Sequence, residues 1–123
     1  MRYLVLLEGP QATTPPPPAL MEAIARLGEE ATMLGSLLDT AGLASSATGS
    51  QVSVTSGALR VTDGPFTESK ELISYALYEV SSKEEAVEWT RRFMTLHKDL
   101  WPGWEGEARV LKVLGPEDFA PPQ

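Results

Sequence analysis

Two stretches of this chain repeat their apolar residues every three to four positions while the segments around them alternate every two, and that pattern restricts the fold more than any other feature. From Ala19, the positions Leu20, Ile24, Leu27, Ala31, Leu34 and Leu38 make one face of a long helix, expected to reach Ala41 and stop at Gly42. Gly28 and Gly35 fall on one side of it, as close packing of a helix on a sheet would require. A second helix is expected over "SSKEEAVEWTRRFMTLH". Ser82 and Glu85 open it as a capping box, and it buries Ala86, Trp89, Phe93 and Leu96.

Around these helices the chain reads as strands. "MRYLVLLEG" is a short buried run ending at Gly9-Pro10, and "PQATTPPPP" after it is a stiff connector, or else a proline-rich recognition peptide. "QVSVT" and "ALRVT" alternate on either side of Ser56-Gly57, which closes a two-residue hairpin. "ELISYALYEV" and "GEARVLKVL" supply two further strands, and an acidic, proline-containing tail over 117–123 is expected to be flexible. The order is strand, helix, strand and hairpin, strand, helix, strand, within a single domain spanning 1–123. The simplest architecture is α+β: a ferredoxin-like βαββαβ sandwich with an inserted β-hairpin, both helices on one face of the sheet. The other face needs a cover. The apolar "ISYALY" strand points to a second copy of the chain, and so to a homodimer.

Composition removes several classes of function. A formal charge of −7 repels phosphate backbones and anionic lipid, so neither nucleic acid nor membrane is expected as a partner. Cysteine is absent and His97 is the single histidine, which excludes thiolate sites and multi-histidine metal centres within one chain; no metal or cofactor is expected. The apolar run near the start stops at Glu8, too early for a membrane span or an export signal, and the expected setting is cytoplasmic.

Candidate site residues gather in and after "VTDGPFTESKE". Asp63 is either a turn residue whose carboxylate accepts a backbone N–H, beside a Gly64 with an unusual φ, or a general base at the mouth of a cavity. Lys70 and Arg109 each sit beside carboxylates and either form structural ion pairs or bind a ligand. Arg109, on a strand, suits an anionic ligand through its forked guanidinium, with Phe66, Tyr75 and Tyr78 as an apolar wall. His97 falls at the end of the second helix, as a protonated cap or as an acid/base residue. Trp101 and Trp104 flank Pro102-Gly103 as a rigid aromatic loop, either a pocket lid or a subunit contact.

Asp63-Gly64-Pro65-Phe66, the charged run after it, the opening "RYLVLLEG" and Glu107-Ala108-Arg109 near the end resemble the DGPF-domain proteins of the YCII-related family. "HKDLWPGWEGE" is similar to a subgroup with Trp-Pro and Trp-Glu-Gly at this place. The resemblance implies a ferredoxin-like subunit that pairs into a dimeric α+β barrel. Some YCII relatives act on small, often aromatic ring compounds with a proposed His-Asp pair, while many DGPF proteins are encoded beside extracytoplasmic-function sigma factors. That histidine lies on the first helix of the relatives, and Ala19 to Ala41 contains none. Two functions remain open: a cavity that binds a small organic molecule, anionic or aromatic, with or without acid/base chemistry; or a non-catalytic regulatory or partner-binding module linked to sigma-factor or stress-response systems.

Overall fold

The first apolar run forms β1 (Arg2–Gly9), whose alternate residues Tyr3, Val5 and Leu7 are buried in a computed structural model that describes residues 1–66 and 70–119. Glu68 and Ser69, and residues 120–123 of the expected flexible tail, lie outside the described residues. The proline connector leads directly into α1 (Pro18–Met33), with Pro18 at its first position, where a missing N–H costs no helical hydrogen bond.

Here the helix expected to reach Ala41 is corrected. Leu34 caps α1 and Gly35 adopts φ +77°. The Gly35 N–H donates to the Thr32 carbonyl at 3.0 Å and the Ser36 N–H to that of Ala31 at 2.9 Å, the paired bonds of a left-handed helix stop. Gly35 is thus the terminator rather than a packing glycine. The residues after it form β2 (Leu37–Gly42), an exposed edge strand inside the stretch expected to be helical.

A short 3₁₀ turn (Ser46–Thr48) leads to β3 (Ser50–Thr55) and β4 (Ala58–Asp63), which pair only with each other. Ser56 and Gly57 both have positive φ, as a two-residue hairpin turn of the twist-matched kind demands. Then come β5 (Glu71–Glu79), α2 (Lys83–Leu100) and β6 (Glu107–Lys112). The Ser82 hydroxyl accepts the Glu85 N–H at 3.1 Å, but the Glu85 carboxylate reaches back one residue further than a capping box would, to the Ser81 N–H at 2.7 Å.

The four-stranded sheet has the order β2-β5-β1-β6, antiparallel throughout, consistent with a ferredoxin-like α+β fold carrying an inserted hairpin. Tyr3, Val5, Tyr78 and Val80 pack with Leu27, Ala31, Ala86 and Trp89 of the two helices into one core. Tyr78 stacks on Trp89 with centroids 6.3 Å apart. Register places Leu4, Leu6, Tyr75, Leu77, Arg109 and Leu111 on the opposite face, which no helix covers. Among the described residues, no helix is long and apolar enough to cross a membrane.

Candidate functional site

At the end of the helix-covered face the layers part around a cavity of about 500 Å³, in the range of small-molecule sites. Its walls come from six places: Leu7 of β1, the connector at Pro10–Ala12 and Pro16, the start of α1, the segment Thr40–Ser45, the start of β5, and the end of α2 with Trp101 and Trp104. The proline-rich segment is therefore both connector and wall. In β5 the register against β1 shifts between Leu7 and Glu8, and this bulge lets the consecutive residues Glu71, Leu72, Ile73 and Ser74 all line the space.

The lining is mostly aliphatic and aromatic, and His97 is its one buried titratable side chain, only 4 % exposed. It lies in the last turn of α2, but it points inward instead of capping the helix from solvent. Phe93 meets the imidazole edge-on with centroids 4.7 Å apart, and Trp104 covers it at the same separation. Nδ1 lies 2.9 Å from the Phe93 carbonyl, which only accepts, so Nδ1 carries the proton and Nε2 keeps its lone pair in the neutral ring. Nε2 has no protein partner among the described residues, nor is it a sealed, unsatisfied atom, which leaves it open to the cavity. Burial lowers the pKa of His97 from its ordinary value, opposed by the hydrogen bond to Phe93. Burial thus favours the neutral ring.

Glu71 brings a carboxylate to the same cavity. Its Oε1 accepts the Ser46 hydroxyl at 2.7 Å, and the Ser46 Oγ in turn accepts the Phe66 N–H at 3.4 Å. This links the cavity rim to the Asp-Gly-Pro-Phe turn. The Gly64 N–H donates to the Gly49 carbonyl at 2.9 Å, and any side chain on Gly64 would overlap the Ser46 carbonyl. Gly64 has no positive φ, contrary to expectation; close backbone approach is what excludes larger residues there. The turn buttresses the segment that carries Ser46 and the cavity wall.

The other candidate residues fall elsewhere. Asp63 is exposed at the end of β4 and accepts the Ser50 hydroxyl at 2.7 Å; it does not line the cavity. Phe66 is half-buried behind Ser46, and Lys70 pairs with Glu107 outside the cavity. Tyr75 and Arg109 flank Leu6 on the uncovered face. The Tyr75 hydroxyl donates to Asp39 at 2.8 Å, a bond that raises the phenol pKa, and the Arg109 guanidinium lies 3.7 Å from Glu8. Tyr78 belongs to the core on the other side. Ser46 carries no motif in the sequence, and Glu71 reads there only as one of the charges around the Gly-Pro turn, a carboxylate beside Lys70. Trp101 and Trp104 are stacked 6.0 Å apart and form cavity wall. Among the described residues no three or more potential metal-ligating side chains cluster.

Comparison with known proteins is consistent with this geometry: the model of the YCII-related domain matches residues 1–101. No curated protein matches the chain.

Proposed function

Since the chain belongs to the YCII-related family and its cavity holds a neutral imidazole with a free acceptor nitrogen, we propose that it binds a small apolar organic molecule there, with His97 as acid/base. The observation that carries this reading is the inward, buried His97. A solvent-facing cap would gain from protonation, whereas this ring is kept neutral by burial and its tautomer is set by a backbone carbonyl.

The chemistry follows from those two facts. Nε2 accepts a proton from an acidic C–H or O–H of the ligand, and the resulting imidazolium keeps its Nδ1–H bond to the Phe93 carbonyl, which favours the charged ring. Returning the proton to a different atom of the same ligand gives an isomerisation. Returning it to a leaving group gives an elimination. The walls are mostly aliphatic and aromatic, so few other groups compete for the proton. The Phe93 carbonyl takes the orienting place that an aspartate holds in a His-Asp pair.

A native mass-spectrometry screen for retained small molecules tests this, with the cavity-filling variant Ala44→Phe beside the wild type. The wild type is expected to retain an apolar compound that Ala44→Phe loses. His97→Gln is expected to hold the same compound within about tenfold while its turnover disappears, since the ring contributes at most one hydrogen bond to binding but carries the proton transfer. Equal retention by Ala44→Phe would overturn the assignment of the site.

The uncovered face of the sheet supports a homodimer of the α+β-barrel kind as the form in which the protein works. Leu4, Leu6, Tyr75 and Leu77 are only half-buried in one subunit, Leu111 is 49 % exposed, and a second copy of the face is a matching cover. The β3–β4 ribbon favours a second role beside ligand binding. Val52 pairs with Val61 and Val54 with Leu59, so all four share one face, and all are at least 66 % exposed. Such a stripe suits docking of a partner in a regulatory module.

A further inference from the structure

The ionic character of the cavity reaches further than its size. Among the described residues no lysine or arginine lines it, and the two cations nearest in the sequence logic are engaged outside: Lys70 with Glu107 and Arg109 with Glu8. Glu71 does line it. Among the described residues only Oε1 of that carboxylate is occupied, by the Ser46 hydroxyl, and no cation pairs with it. The Ser45 hydroxyl oxygen is already used as an acceptor by the Ala47 N–H, and the Thr40 hydroxyl donates to the Tyr75 carbonyl. Beside the neutral polar groups of Gln11, Ser45 and Ser74, what the cavity offers a ligand is a carboxylate oxygen, a neutral imidazole nitrogen and the rings of Phe93, Trp101 and Trp104.

Building on the small-molecule reading above, we infer that the ligand is an apolar amine bound as its ammonium ion, with the N–H groups toward Glu71 and His97 Nε2 and the positive charge against the aromatic wall. An ammonium group supplies donors alone, which is what two acceptors require. Its charge is attracted both by the carboxylate and by the negative faces of the tryptophan rings. A ligand carboxylate meets the reverse: it finds only neutral donors such as the Gln11 amide and the Ser45 and Ser74 hydroxyls, places its charge in one apolar space with that of Glu71, and meets no guanidinium or ammonium among the described lining residues. The overall charge of −7 biases encounter in the same direction. Arg109, the residue that suited an anionic ligand in the sequence, stands on the other face of the sheet and cannot reverse this preference.

Three naphthalene probes that differ only in the polar group decide it: naphthylmethylamine, naphthylmethanol and naphthoate, titrated near neutral pH with calorimetry or tryptophan fluorescence. The amine is expected to bind about tenfold more tightly than the alcohol, as one partly buried ionic and cation–π contact provides. Naphthoate is expected to bind most weakly. Glu71→Gln should bring the amine down to the alcohol and leave the alcohol unchanged, and added salt should weaken the amine alone in the wild type. The salt series stands even where Glu71→Gln does not fold. Naphthoate binding as tightly as the amine, or an amine preference insensitive to both salt and Glu71→Gln, overturns the charge assignment while the cavity remains a ligand site. No binding of any of the three, with Ala44→Phe indistinguishable from wild type in the broader screen, removes the ligand site itself.

Discussion

The two faces of the four-stranded sheet are built from the same strands and meet different surroundings. On one face Tyr3, Val5 and Tyr78 pack beneath two amphipathic helices, and where the helices diverge from the sheet a cavity with His97 remains. On the other, Leu6 lies between Tyr75 and Arg109 with no helix above it, and its polar groups are satisfied within the sheet surface by Asp39 and Glu8. An inward titratable group can be held neutral on the first face because water is scarce there; on the second, ionised groups stay solvated in a single subunit. Two adjacent residues of one strand, Tyr75 and Ala76, therefore serve different ends: Tyr75 offers a phenol to the open face, and Ala76 yields space to the core.

Substitutions can break that contrast or sharpen it. Trp89→Ala removes the one tryptophan ring of the core under the helices, which stacks on Tyr78 and carries Arg92 4.9 Å above it, and should cost about 3–5 kcal/mol in denaturant unfolding. If the loss is below about 1 kcal/mol, the covered face is not the stabilising one. Gly64→Val should cost about 1–3 kcal/mol, because the new side chain displaces the Ser46 backbone that it would overlap; an unchanged midpoint would show that the turn does not support the cavity segment. On the uncovered face, Leu77→Lys should change subunit stability by less than about 1 kcal/mol yet halve the mass seen by light scattering, as the proposed dimer requires.

Acidification gives a smaller, signed effect. His97 has a native pKa below its ordinary 6.5, so the unfolded chain binds more protons between the two values. Its contribution to stability is complete above 6.5 and is lost as pH falls below that value through the native pKa. Unfolding midpoints measured between about pH 8 and pH 5 should fall more steeply for the wild type than for His97→Gln; parallel curves would mean the ring is not held neutral. The smallest effects belong to the open face. Arg109→Lys should leave cavity ligand affinity unchanged, and Tyr75→Phe, which removes only the exposed bond to Asp39, should not shift the unfolding midpoint. A loss of ligand in Arg109→Lys would join the two faces into one site.

Periodicity, capping and turn chemistry were sufficient for β1, α2, the Ser56-Gly57 hairpin and the α+β class, since each is decided by residues a few positions apart. The same logic carried α1 too far. Leu34 and Leu38 keep the helical spacing, but Gly35 closes the helix with a left-handed φ, and the exposed β2 is stabilised by pairing to β5, more than thirty positions on. Family membership was likewise legible in the sequence, since the match to the YCII-related domain spans residues 1–101. The roles of its residues were not. Whether Asp63 faces a cavity or a serine, whether His97 caps a helix or closes a pocket, and whether Glu71 meets Lys70 or Ser46 depend on which distant segments the chain brings beside them. Sequence by itself determined most of the elements and the place of the signature turn, because backbone preference and hydrophobic period act locally. Only the tertiary structure decided the site, because burial and hydrogen-bond partners are set by contacts between remote parts of the chain.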